Sequence, residues 1–268
     1  MRILVLKTYA GRTLEREHCQ KVARPDTQVD FENLEGDFPI THVHHRYFRY
    51  KAIDHVIERV LRAEEAGYDG VCLACGADPG LYEARELVDI PVVGTFEASG
   101  HIACQMGHRF SVVTTVSYAA PQMRELAWLY GFGDKLASIR TLNIPGRELY
   151  VDFTSPESVV RRINEVARQC VVEDGAEVIL LTATLAGTMF TSATSSPITE
   201  IGAPLIDALP VAFKMTELMV DLQKLGGYPP VSRVGAFKPP YEPEYRKLRA
   251  FYGLPLRRGL KPDGGPAD

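Results

Sequence analysis

Apolar and polar positions alternate in blocks that read as strands and helices. Arg2-Ile-Leu-Val-Leu6 has the length and composition of a buried parallel strand. It runs into Lys7-Thr8-Tyr9-Ala10-Gly11, a turn at the carboxyl end of that strand, where open α/β sheets bind ligands. Residues 12–38 are polar and rich in acids over Asp30 to Asp37, which predicts an irregular or edge-strand segment. Ile53, Val56, Ile57, Val60 and Leu61 keep the i, i+3, i+4, i+7, i+8 spacing of an amphipathic helix stopped near Gly67, with His55 and Glu58 off the apolar stripe. Val71 to Ala74 predicts a second buried strand, ending at Cys75 and turned by Gly76-Ala77. Asp78-Pro79 reads as an N-cap with proline at the first position of a helix reaching about Val88. Ile90-Pro-Val-Val93 is a short strand. Phe96 to Gly107 predicts a helix with Ile102, Ala103 and Met106 inward, Gly107 as its stop, and Glu97 and His101 spaced to pair.

At Arg109 the pattern starts again. Arg109-Phe-Ser-Val-Val-Thr-Thr115 repeats the rhythm of residues 2–8, and Ser155-Pro156 opens a helix with Val159, Val160, Ile163, Val166, Ala167 and Cys170 on one stripe. Gly175-Ala-Glu-Val-Ile-Leu-Leu-Thr-Ala-Thr184 overlays residues 67–76 without a gap and sets Ala183 opposite Cys75. Gly202 to Asp207 gives one more strand, and a helix over about 211–225 follows. Strands alternating with helices predict an α/β fold of two pseudo-symmetric lobes. Each is a mostly parallel sheet flanked by helices, with the strand-end turns facing across a cleft. The expected division is 1–95 plus 207–268 for the first lobe and 96–206 for the second, with a loose tail from about 258.

Composition narrows the function classes. An apolar content of 46% and a net charge of −4, with no basic block, exclude a nucleic-acid binder as the expected reading. No stretch has the length of a signal peptide or a membrane span. Five scattered cysteines, an odd number, predict reduced thiols in a cytoplasm and no disulfide framework.

The chemistry concentrates at Cys75. A thiol at a strand end, facing amides at a helix start, is placed for thiolate stabilisation. Cys72, inside the strand, reads as core. Thr41 to Tyr50 carries His42, His44 and His45. As a strand it would turn His42 and His44 to one face and His45 to the other, with no further ligand at metal spacing, so a solvated segment or pocket wall is expected and no metal.

The chain resembles the aspartate/glutamate racemase superfamily, and within it the hydantoin racemase branch. The resemblance lies in Met1-Arg-Ile-Leu-Val5, Ala74-Cys75 with Asp78-Pro79-Gly80-Leu81, Asp89 to Gly94, Glu97-Ala98, Gly107 to Thr115, Gly175 to Leu181 and Ser232 to Phe237. It implies two lobes around one site and no cofactor. It also implies two cysteines flanking an acidic carbon, one removing its proton and the other returning a proton on the opposite face. Thiols suit this work, since their unperturbed pKa is about 8.5. Cys75 matches the first cysteine. The second motif, Leu-Gly-Cys-Ala-Gly in the family, is Leu181-Thr-Ala-Thr-Leu185 here, and the family's first turn, Asn-Pro-Asn-Thr, is Lys7-Thr8-Tyr9-Ala10. A symmetric two-thiol racemase is therefore not encoded.

Four readings stand at this point. Cys75 is the single acid/base thiol of an isomerase or racemase acting on a carbon beside a carbonyl or carboxylate; it protonates an enolate on one face in a cofactor-free decarboxylase or lyase; it adds covalently to substrate as in maleate isomerases; or the chain is a ligand-binding descendant without activity. Thr8, Tyr9, Gly76, Ala77, Thr114, Thr115, Thr182, Ala183 and Thr184 are the expected substrate-binding positions by their places at strand ends, with Tyr47 as a further pocket candidate and Lys7 as a carboxylate binder or a surface lysine. The expected partner is a small molecule carrying a carboxylate or imide, and a homo-oligomer is compatible with this reading.

Overall fold

The computed structural model describes residues 1–8, 13–34, 42–145, 148–149, 155–238 and 242–254. Tyr9, Thr41 and the tail beyond residue 254 lie outside the described residues.

Two four-stranded parallel sheets build the molecule. The first holds β1 (Arg2–Lys7), β2 (Gln28–Asn33), β3 (Gly70–Leu73) and β4 (Val92–Gly94) in the order β2-β1-β3-β4. The second holds β5 (Phe110–Thr114), β6 (Leu136–Thr141), β7 (Val178–Leu181) and β8 (Leu205–Asp207) in the order β6-β5-β7-β8. The central strands β1, β3, β5 and β7 are buried on both faces, as their unbroken apolar runs require. Helices connect them: α1 (Thr13–Val22), α2 (Arg46–Glu65), α3 (Leu81–Leu87) and α4 (Thr95–Met106), then α5 (Ala120–Leu129), α6 (Pro156–Val172), α7 (Thr184–Thr194) and α8 (Ala208–Gly226). A last helix, α9 (Glu242–Phe251), follows.

The repeat extends further than the apolar pattern shows. Both halves run β-α-β-α-β-α-β-α, and matching small devices recur in them. Asp69 accepts the Arg2 N–H at 2.6 Å, and Glu177 accepts the His108 N–H at 2.6 Å. Gly67 and Gly175 leave α2 and α6 with φ of 78° and 69°, a left-handed exit that glycine makes without strain. Ser155 caps α6 by accepting the Ser158 N–H at 3.2 Å, with Pro156 next to it, as the sequence predicts.

Three local expectations are corrected. Residues 12–38 contain a helix, α1, ahead of edge strand β2. Its inward face is Glu15, His18, Cys19 and Val22, so two polar residues hold places where periodicity looks for apolar ones. The histidine segment is no strand: His42–His44 form a 3-10 turn, and α2 starts at Arg46. On α4, Ala103 is core, Ile102 is half-buried and Met106 is 49% exposed.

The halves lock together through their last helices. α4 packs along α8 and reaches β7, while α8 lies under β3 and β4 of the first sheet. Phe96, Phe110, Tyr130 and Phe132 interlock between the two sheets, with Phe96 edge-on to Phe132 at 5.4 Å. No helix among the described residues is long and apolar enough to cross a membrane.

Candidate active site

Parallel strands bring their carboxyl ends, and the turns that follow them, to one side of each sheet. β1 delivers Lys7 and Thr8, and β3 delivers Cys75 to Asp78. In the other half, β5 delivers Thr114 and Thr115, and β7 delivers Thr182, Ala183 and Thr184. All of these are buried except Gly76, which is partly exposed. The turns after β3 and β7 meet there: a methyl group added to Gly76 would lie 2.4 Å from the Thr182 carbonyl oxygen. Glycine at position 76 is therefore what lets Cys75 and Ala183 stand on facing turns.

Cys75 is 3% exposed. Burial pushes its thiol above the ordinary value. The Thr8 hydroxyl and the Ala77 N–H, both directed at the sulfur, and the Lys7 charge pull the other way. Thr8 Oγ1 is buried, with no oxygen or nitrogen hydrogen-bond partner among the described residues. The other thiols do different work. Cys72, Cys19 and Cys170 are fully buried in core, and all five cysteines are free. Burial raises Cys72 to about 12, against a hydrogen bond from Thr216.

Asp78 departs from its expected role. It sits at φ 41°, the residue before α3 is Gly80 in the left-handed region, and that helix begins only at Leu81. The Asp78 carboxylate instead caps α4, accepting the Phe96 N–H at 3.0 Å and the Glu97 N–H at 2.9 Å. It occupies space that Gly94 leaves open, since a methyl there would lie 2.6 Å from the carboxyl carbon. Burial pushes the Asp78 carboxyl up to about 7, against those two amides and the Tyr130 hydroxyl. The Thr95 hydroxyl also donates to the Leu73 carbonyl, so the turn bearing Cys75 is tied to the start of α4 from both sides. Glu97 pairs with Arg85, at 2.8 Å through Nη1, and not with His101, whose ring lies edge-on to Phe132.

Lys7 is the largest surprise. Its side chain is 0% exposed, so the surface-lysine expectation fails. Nζ donates to Glu15 Oε1 on α1 and to Thr184 Oγ1 at 3.0 Å, and the Thr184 hydroxyl donates to the same Glu15 oxygen at 2.8 Å. This closed triangle joins the two halves beside Ala183. Glu15 was invisible to periodicity because it holds a core position of α1 with a charge.

Tyr47 is not in this buried group. It is 65% exposed on the first turn of α2, edge-on to Phe48 at 5.7 Å. Nearby, His45 of the same segment stacks on Tyr118 of the other half at 5.4 Å. Among the described residues no group of three or more His, Cys, Asp or Glu side chains is arranged to hold a metal ion.

Two parallel α/β halves with a thiol on one facing turn define a class, the cleft enzymes of racemase type. The chain belongs to the Asp/Glu/hydantoin racemase family, which it matches over residues 15–216. It is 33% identical to a hydantoin racemase of Pseudomonas sp. (strain NS671) over 249 residues, covering 91% of this chain and 94% of that protein. A hydantoin racemase of Paenarthrobacter aurescens is also 33% identical, over 256 residues, covering 91% and 100%. An allantoin racemase from Klebsiella pneumoniae superposes with a TM-score of 0.74 at 26% identity, over 97% of this chain and 96% of that one. The chain is an enzyme of the isomerase class.

Proposed function

We propose that the enzyme moves a proton at an acidic carbon beside a carbonyl, in a hydantoin-like or amino-acid-like small molecule. Cys75 is its single acid/base thiol, and protein side chains alone act as acid and base. One observation carries the reading: a buried thiol stands on the turn after β3 with an amide and a hydroxyl directed at it, and the equivalent position on the turn after β7, which meets the first turn at Gly76 and Thr182, is an alanine. Thr8, Gly76 and Ala77 border the thiol, and the Gly76 N–H offers a donor to an enolate oxygen as charge develops. Thr182, Thr114 and Thr115 wall the other side. Thr184 is committed to Glu15 and Lys7, so it does not stand in for the missing thiol. The relatives named hydantoin and allantoin racemases favour a ring imide, whose carbon acid is activated by two flanking groups.

The test is proton NMR in deuterated water with both enantiomers of a panel of 5-substituted hydantoins, beside free amino acids and arylmalonates. Deuterium entering at C5 of a hydantoin, dependent on enzyme, is the expected result. Carbon dioxide release from an arylmalonate without exchange on any hydantoin would overturn it in favour of one-face decarboxylation.

A further inference from the structure

We infer that Thr8 is the positioning residue of the reactive thiol: its hydroxyl donates to the Cys75 thiolate and holds that charge on the buried turn. The inference deepens the proton-transfer reading above and rests on it for its catalytic consequence.

Strand register brings the two residues together. β1 and β3 pair in parallel with Leu6 opposite Leu73, and the Ala74 N–H donates to the Leu6 carbonyl at 2.8 Å, so the pairing runs on past the strand ends. Side chains two apart on an extended chain share a face. Two residues on from Leu6 and Leu73 stand Thr8 and Cys75, side by side. Leu6, Leu73 and Cys75 accordingly pack in one core.

Thr8 is 2% exposed, and its hydroxyl oxygen has no oxygen or nitrogen partner among the described residues. Burying an unpaired hydroxyl costs stability that valine, of the same shape, would keep. A sulfur that cycles between thiol and thiolate supplies the missing acceptor whenever it is charged. Burial holds the Cys75 thiol above its ordinary value, and the Thr8 hydroxyl and the Ala77 N–H oppose this as donors. Hydrogen bonds to a charged acceptor are about twice as strong as neutral ones, so the hydroxyl favours thiolate over thiol. The Thr8 proton stays on its oxygen throughout; only Cys75 exchanges a proton with the substrate carbon.

The second half supplies the control. There Val113 pairs with Leu181, and the Thr182 N–H donates to the Val113 carbonyl at 3.0 Å. Two residues on, Thr115 stands beside Ala183. The same hydroxyl in the same place has no thiol to serve.

Enzyme-dependent C5 deuteration of 5-isopropylhydantoin, followed by proton NMR in deuterated water, gives kcat/KM against pH for the wild type, Thr8→Val, Thr8→Ser and Thr115→Val. Removing a donor to the charged form raises the thiol pKa. The limb on which activity rises with pH is therefore expected to move up in Thr8→Val by about one pH unit or more. Below that limb the loss is about tenfold, and activity returns at higher pH. Thr8→Ser restores the wild-type limb, and Thr115→Val leaves it in place. A loss in Thr8→Val that is equal at every pH would make Thr8 a substrate-binding or packing residue and overturn the inference. No change at all would overturn it too, and both results leave Cys75 as the acid/base group. Iodoacetamide alkylation of Cys75, followed by peptide mass, reads the same thiolate without substrate. A Thr8→Val shift of that alkylation profile, with no hydantoin exchanged by the wild type, would uphold the inference and sink the proton-transfer reading. An alkylation profile that does not move overturns the inference.

Discussion

The turn after β3 and the turn after β7 begin alike and end differently. Both follow a buried apolar strand entered through a glycine at positive φ. In both, a backbone N–H then bonds back to the first strand of its half, Ala74 to the Leu6 carbonyl at 2.8 Å and Thr182 to the Val113 carbonyl at 3.0 Å. One residue further the copies part. The first places Cys75, then turns through Gly76 and Ala77 and sends Asp78 to cap α4. The second places Ala183 and goes straight into α7 at Thr184. There the helix α8 is capped by its own preceding residue, Asp207, which accepts the Leu209 N–H at 3.4 Å and fills the space beside Gly187. A carboxylate thus sits at the same kind of place in both halves, supplied from the turn in one and from the strand end in the other. Scaffold is conserved between the halves by backbone pairing; chemistry is free to differ because it hangs on single side chains beyond the last ladder bond.

That contrast can be broken on purpose. Restoring the missing thiol has the largest expected effect. Ala183→Cys in the otherwise unchanged enzyme should raise inversion of a hydantoin by on the order of 100-fold, measured by optical rotation. An unchanged rate would mean that position 183 does not reach the substrate carbon. The smaller effect is on the fold. Gly76→Ala puts a methyl 2.4 Å from the Thr182 carbonyl oxygen, and backbone cannot yield cheaply. Chemical denaturation should show a loss of about 1–3 kcal/mol. An unchanged midpoint would show that the two turns are not pressed together as described.

Much of this was legible in the chain because the signals were apolar. β1, β3, β5 and β7 are continuous buried runs, and α2 and α6 carry clean stripes that end at glycines, so the two-lobed α/β fold and the strand-end places of Cys75 and Ala183 followed from pattern. The rest was hidden where polar residues do core work. α1 turns Glu15 and His18 inward, so its face does not read as apolar. β6 and α5 lie in a stretch whose strand is only half-buried along its whole length, which weakens alternation. Asp78-Pro79 has the local signature of a cap, and it is a cap, but for a helix 17 residues on; local pattern names the chemistry of a residue and not its partner. Lys7 shows the same limit in the site itself: nothing at residues 2–11 says that the lysine is sealed, because Glu15 and Thr184, which seal it, arrive from another helix and from the other half.

The central claim is that Cys75 is the thiol that moves the proton. Its most direct test is Cys75→Ser, which keeps size and shape but replaces the thiol with a hydroxyl that is hardly ionised near neutrality. Followed by NMR in deuterated water on the substrate the wild type exchanges, the variant is predicted to lose C5 deuteration by 10²- to 10⁴-fold, the usual contribution of a positioned acid or base, with its thermal unfolding close to that of the wild type. Full exchange by Cys75→Ser would contradict the account.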